Sequence, residues 1–233
     1  MPAPVCATTA RATCSHTCPS DLTTPGWLAQ WDRRLLDLGT GDGAYARMRA
    51  REDPSLGMIA LDLRLDRLPT HARRPRALAN LLLVEADAVA WCLAYDARPD
   101  PPRFDEVTIT FPYGALLRAC IAPEGGFLRA VSRLLTATGV LAIRLNERAL
   151  LDSVANPCWD EALDSISSVL ETDTRASVRV TPMGASALRT FPSSWAKRIG
   201  WGRPTRAACI TLRRRVMPTF AKTDVVALPR AKD

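Results

Sequence analysis

Asp37-Leu38-Gly39-Thr40-Gly41-Asp42-Gly43 is the stretch on which the reading of this chain turns. A short apolar run, Arg34–Leu38, leads into it, and a helical pattern, Ala44–Glu52, leads out. Glycines at such a junction let the chain turn tightly and bring its backbone against a ligand. The next apolar run ends Ala60-Leu61-Asp62, placing Asp62 19 residues past Gly43. At that distance a carboxylate can accept hydrogen bonds from both ribose hydroxyls of an adenosine cofactor. The spacing is G-x-G-x-G, whereas dinucleotide sites use G-x-G-x-x-G to cradle a pyrophosphate on helix amides. Asp37 ahead of the glycines and Asp42 among them would repel a pyrophosphate. They suit a ligand carrying an ammonium and a sulfonium, which also disfavours a nicotinamide-dependent oxidoreductase.

Outward from this turn the pattern alternates. Short β-rich runs occur at Arg34–Leu38, Gly57–Leu61, Asn80–Ala86, Phe104–Phe111, Gly139–Leu145, Ala176–Thr181 and Ala207–Arg213. Helical candidates lie between most of them, at Ala44–Glu52, Leu65–Ala79, Glu124–Thr136 and Trp159–Glu171. Strands separated by helices predict a doubly wound, mainly parallel α/β sheet in one domain, residues 21–216. Residues 1–20, rich in Ala, Thr, Pro and Cys, read as a flexible leader, and 217–233 as a C-terminal tail.

The chain has 233 residues, 47% hydrophobic and 24% charged, which is ordinary for a globular protein. Its longest uncharged stretch, Val107–Leu117, is 11 residues, against about 20 for a membrane-spanning helix. Seven cysteines in a chain too long to need disulfide staples predict reduced thiols and a cytoplasmic location. Cys14-Ser-His16-Thr-Cys18 has zinc-like ligand types but lacks a well-spaced fourth, so no metal is expected. The net charge of +7 is segregated: Thr174 to Thr223 holds 11 Lys or Arg and no Asp or Glu. A smaller cluster, Arg64, Arg67, Arg73, Arg74 and Arg76, is opposed only by Asp66. Such segregation favours a polyanionic partner.

Ligands gather at the carboxyl ends of the strands in open α/β sheets. Asp87 follows the third run there, either as a contact for an adenine amine or as the N-cap of a helix beginning at Ala88. The fourth run ends Thr110-Phe111-Pro112-Tyr113-Gly114, where Tyr113 either stacks on a base or sits half buried at a strand edge. In Phe191–Arg203, a stretch read as a Gly- and Pro-punctuated loop, Trp195 and Trp201 stand among Lys197, Arg198 and Arg203. Aromatics interleaved with cations suit a surface that stacks bases and neutralises phosphates.

The glycine pattern resembles motif I of the class I S-adenosylmethionine-dependent methyltransferases. That resemblance implies a Rossmann-like, seven-stranded sheet with an antiparallel last strand, and S-adenosylmethionine as cofactor. Asp37, Gly39, Thr40, Gly41, Asp62 and Asp87 would contact it. Leu35–Gly43, Thr110–Leu117 and Phe191–Arg203 together resemble the kanamycin–apramycin resistance methyltransferases, loosely from about Leu28 to Arg214. These enzymes methylate N1 of the decoding-site adenine of 16S rRNA in the assembled small ribosomal subunit. By that resemblance Tyr113 and Trp195 sandwich the flipped adenine, Pro112 belongs to the target-base motif and Ser193 orders the following segment. Arg64, Arg67, Arg73, Arg74, Lys197, Arg198, Arg203 and Arg206 contact ribosomal RNA, and the protein acts as a monomer. The family commonly has Trp where this chain has Tyr113. Many adenine methyltransferases, whose target-base motif the end of the fourth run resembles, have Asn or Asp where this chain has Phe111. The second arginine of the family's loop maps near Thr205, beside Arg206. The alternatives are a methyltransferase acting on another RNA such as transfer RNA, and an RNA-binding relative with weak catalysis.

Overall fold

The computed structural model describes residues 24–67, 78–173, 176–202 and 204–214. The leader, the tail and the expected contacts Arg73, Arg74 and Arg203 lie outside the described residues. Arg67 enters only as the last residue of a 3-10 turn, Leu65–Arg67.

Seven strands form one sheet in the order β3-β2-β1-β4-β5-β7-β6. They are β1 (Arg33–Leu38), β2 (Leu56–Asp62), β3 (Leu81–Glu85), β4 (Phe104–Thr110), β5 (Leu135–Asn146), β6 (Ala176–Pro182) and β7 (Ala207–Arg214). The first five pair in parallel, and β7 lies antiparallel between β5 and β6. This is the seven-stranded, mainly parallel sheet that the sequence resemblance implies, with its antiparallel strand last in the chain. All seven runs became strands: the central β1, β2 and β4 are largely buried and read as continuous hydrophobic segments, whereas the outer β3 and β6 have no fully buried residue. Leu36, Leu38, Ile59, Leu61, Val107 and Ile109 are wholly buried at the centre, each worth about 1.5–3 kcal/mol of transfer free energy. β3 and β6 are the two outer strands, and the last four residues of β6 are exposed.

Ala44–Glu52 and Trp159–Glu171 form helices over the expected residues. The expected helix Glu124–Thr136 is shorter, Gly126–Arg133, because β5 claims the chain from Leu135. Of Leu65–Ala79 the described part holds only the 3-10 turn. Helices Ala88–Asp96, Gly114–Ile121 and Glu147–Ser153 fill connections that the apolar pattern left open. The largest correction concerns Phe191–Arg203. It is no loop but the helix Ser194–Trp201, which packs against a second short helix, Ala185–Thr190. Gly200, which weighs against a helix in sequence, sits where a Cβ would lie 2.9 Å from the Arg189 backbone nitrogen. Close approach of the two helices requires glycine there. Among the described residues no helix is long and apolar enough to cross a membrane.

One buried side chain holds three elements. The Asn80 amide nitrogen donates to the carbonyls of Ala50, Asp53 and Leu56 at 2.9, 3.0 and 3.0 Å. It thereby joins the end of helix Ala44–Glu52 and the starts of β2 and β3. Replacing it by Ala strands buried acceptors, so Asn80→Ala is expected to lose about 3 kcal/mol of unfolding free energy. Urea denaturation measures this directly.

Candidate active site

The glycine turn is closed from the neighbouring strand. Gly39 and Thr40 donate their amides to the Leu61 carbonyl at 2.9 and 2.8 Å. Asp62 accepts from the Gly41 amide at 2.8 Å through Oδ2 and from the Arg64 amide at 3.0 Å through Oδ1. Each carboxylate oxygen retains a further lone pair. Gly39 has φ 74°, and a Cβ on it would come within 2.8 Å of the Leu116 side chain. Only glycine serves at that point.

The four carboxylates near the turn differ in what they are free to do. Asp37 is 2% exposed and accepts from the Thr108 hydroxyl at 2.7 Å. Burial raises its carboxyl above the ordinary carboxylate range, against the lowering effect of that hydrogen bond. Asp42 spends both oxygens internally, on the amides of Ala44 and Ser194, each at 3.0 Å. Partial burial works against its charge, but the hydrogen bonds from Ser194 and Ala44 outweigh it and hold the carboxyl below its usual range. Asp87 caps helix Ala88–Asp96 by accepting from the Ala90 amide at 2.9 Å. Its capping role is thus observed, and it also lines the cleft described next.

A cleft of about 800 Å³ opens over the carboxyl ends of β1, β2 and β4. Asp37, Gly39, Thr40, Gly41, Asp62 and Asp87, the six expected cofactor residues, all line it. Pro112, Tyr113, Ser193 and Trp195 line the same cleft, so residues 150 apart in sequence meet where a cofactor and a target can meet. At the end of β4, Phe111 takes φ 51° and is 4% exposed. A bulky residue held at positive φ costs about 1–3 kcal/mol, here supported by burial against Leu188, Ala196 and Ala207. The turn it makes leaves Tyr113 54% exposed, immediately before helix Gly114–Ile121. Trp195, in the first turn of helix Ser194–Trp201, is 38% exposed. Ser193 is that helix's N-cap, its hydroxyl accepting from the Ala196 amide at 3.5 Å.

The expected RNA contacts divide by their partners. Lys197 and Arg198 are exposed on helix Ser194–Trp201, and Arg198 lines the cleft. Arg64 is paired with Asp66 at 2.6 Å. Arg206 is held by Glu147 at 2.6 Å, with Asp160 at 3.7 Å. The Arg206 guanidinium in turn keeps the Glu147 carboxyl below its usual range. Arg64 and Arg206 are therefore compensated cations and not open ones. Sequence reasoning missed Leu63, which is 65% exposed and lines the cleft with Val89 and Leu116. A bulky apolar residue directly after the strand-end acid was the available signal.

A model of the NpmA family, described as 16S rRNA (adenine(1408)-N(1))-methyltransferase, matches residues 22–214. A 16S rRNA (adenine(1408)-N(1))-methyltransferase of Streptoalloteichus tenebrarius is 30% identical over 132 residues, 54% of this chain and 58% of that protein. One of Streptoalloteichus hindustanus is 29% identical over 127 residues, 52% and 56% of the two. The chain thus spans a little over half the length of the curated relatives it matches. Among solved structures, the 16S rRNA methyltransferase KamB superposes with a TM-score of 0.63 at 22% identity, over 81% of this chain and 91% of that one. A tryptophan-to-alanine mutant of the Catenulisporales acidiphilia 16S rRNA (adenine(1408)-N(1))-methyltransferase, with its cosubstrate SAM, gives 0.60 at 22% identity, over 88% and 94%. The family match runs from residue 22 to the end of β7 and takes in every element lining the cleft. The chain therefore belongs to the NpmA family of 16S rRNA (adenine(1408)-N(1))-methyltransferases.

Proposed function

We propose that this chain methylates N1 of adenine 1408 of 16S rRNA in the assembled small ribosomal subunit, using S-adenosylmethionine. We further propose that it acts in the cytoplasm as a monomer and confers resistance to kanamycin- and apramycin-type aminoglycosides. One observation carries this reading: a single cleft joins the Asp62-braced glycine turn to the exposed aromatics Tyr113 and Trp195.

The donor set fits the cofactor. Asp62, with lone pairs to spare on both oxygens, is the ribose acceptor, and Asp87 with exposed Leu63 and Val89 suits an adenine ring. Asp37 supplies the negative surroundings that an ammonium and a sulfonium need, beside a turn too acidic for a pyrophosphate. When bound, S-adenosylmethionine supplies a methyl group already activated by its sulfonium.

Adenine N1 carries its own lone pair, so no residue here need remove a proton before attack. The work left to the chain is placement. Holding N1 in line with the methyl at near-attack distance is worth up to about 7–11 kcal/mol. Extruding the adenine costs a few kcal/mol of unstacking, offset by stacking on Tyr113 and Trp195 at about 1–3 kcal/mol for each base–aromatic contact. Phe111 is buried and offers no side-chain polar atom, so recognition of the exocyclic amine falls to backbone carbonyls. Arg198, one helical turn past Trp195 and lining the same cleft, is placed to neutralise a phosphate flanking the extruded base, and Lys197 is exposed on the same helix.

Transfer of labelled methyl to purified small subunits, followed by reverse-transcription mapping, should give one stop, at adenine 1408. Incorporation elsewhere, or none despite cofactor binding, would overturn the assignment. Trp195→Ala should reduce turnover by about two orders of magnitude, since it removes stacking realised only with the base extruded. Its cofactor affinity should match wild type by calorimetry. Asp62→Ala should show the opposite separation, weakening S-adenosylmethionine binding roughly tenfold or more through the lost charge-assisted bonds.

A further inference from the structure

Asp42 belongs to the glycine turn, yet its second oxygen serves a helix 152 residues away. Oδ1 accepts from the Ala44 amide at 3.0 Å, opening helix Ala44–Glu52. Oδ2 accepts from the Ser194 amide at 3.0 Å, the first residue of the helix that carries Trp195. Ser193 already caps that helix through the Ala196 amide, and four amides at a helix start lack intrahelical partners. The carboxylate therefore satisfies a different donor, with its charge at the positive end of the helix dipole.

A second contact runs alongside. Phe191, just ahead of the helix, stacks on Tyr45 of helix Ala44–Glu52 at 5.4 Å between centroids. The Arg144 guanidinium lies 4.8 Å from the Phe191 ring and 5.7 Å from the Tyr45 ring. By contrast, the helix pair Ala185–Thr190 and Ser194–Trp201 belongs to a small apolar cluster of its own, around Phe111, Leu188, Ala196 and Ala207. It is not part of the central core. Its placement relative to the cofactor turn thus depends on few contacts, and the Asp42–Ser194 bond is the one nearest Trp195.

We infer that Asp42 is a positioning residue for methyl transfer: through the Ser194 amide it fixes the Trp195 helix against the cofactor turn, setting the distance between the stacked adenine and the methyl donor. The inference rests on the methyltransferase reading above. Asp42 lines the cleft, but each of its oxygens is already taken by an amide, so the inference makes it neither a direct cofactor ligand nor a group that touches the base. Asp42 also joins the two halves of the site, because the same carboxylate opens the helix after the cofactor turn and the helix carrying the base platform.

Ser194→Pro removes the amide hydrogen at a position where proline is well tolerated, and Ser194→Ala, which keeps the amide, isolates the contribution of the Ser194 hydroxyl to Asp42. Ser193, at φ −147° and ψ 135°, already has the extended backbone that a residue preceding proline adopts. Asp42→Ala and Ser194→Pro should each lower kcat/KM on small subunits roughly tenfold or more, chiefly in kcat. S-adenosylmethionine affinity by calorimetry should stay within about threefold of wild type, and Asp42→Asn should recover part of the activity by keeping one acceptor oxygen. The double variant should be no worse than the more severe single one, because both remove the same bond. Fully additive losses, unchanged turnover in both single variants, or a cofactor-affinity collapse confined to Asp42→Ala would overturn the inference. Should wild-type protein methylate no subunit, amide hydrogen exchange over residues 194–201 still decides: faster exchange in Asp42→Ala supports the tether, and unchanged exchange removes it.

Discussion

The bond from the Gly41 amide to the Asp62 carboxylate is the constraint on which the site is built. It ties the glycine turn after β1 to the end of β2, and the Leu61 carbonyl beside it takes the amides of Gly39 and Thr40. Neither closure works unless β1 and β2 pair in parallel with Leu38 opposite Leu61. That register is enforced by burial on both faces, since a one-residue slip would reverse the facing of every side chain. The core therefore sets the register, the register sets the turn, and the turn sets where a cofactor can lie.

The target side is assembled by weaker means. Tyr113 reaches the cleft because Phe111 accepts a left-handed backbone and Gly114, at φ 58°, continues the turn into a helix. Trp195 reaches it from a helix pair with its own small apolar cluster, attached by aromatic stacking and one carboxylate–amide bond. The glycine turn is thus fixed by the central sheet, and the wall that carries Trp195 is attached more lightly.

Much of this was legible in the sequence because the responsible signals are local. Strands buried on both faces announce themselves as apolar runs, and G-x-G-x-G with Asp62 19 residues on marks the turn and its brace. Helix Ser194–Trp201 was not legible, because Gly200, Gly202 and Pro192 read as loop residues when the packing of Gly200 on Arg189 is unseen. Nor could spacing reveal that Asp42 faces Ser194, since that contact exists only once β7 has brought the C-terminal segment back along β5. Pairing partners were the third gap. The long carboxylate-free block still meets carboxylates in space, because Glu147, Asp160 and Asp173 come from preceding segments to meet Arg206 and Arg214.

Those ion pairs change what the net charge means for an encounter with a polyanion. Salt dependence of binding measures the counterions freed when protein cations neutralise phosphates. An arginine already matched by Glu147 or Asp173 must first give up that partner, so it contributes little to this release. The thermodynamically effective charge of the C-terminal block is therefore smaller than its residue count. Part of the remainder is carried into the cleft itself by Arg198, exposed on helix Ser194–Trp201. A salt slope measured on any polyanion should therefore fall short of the 11 cations that the block contains.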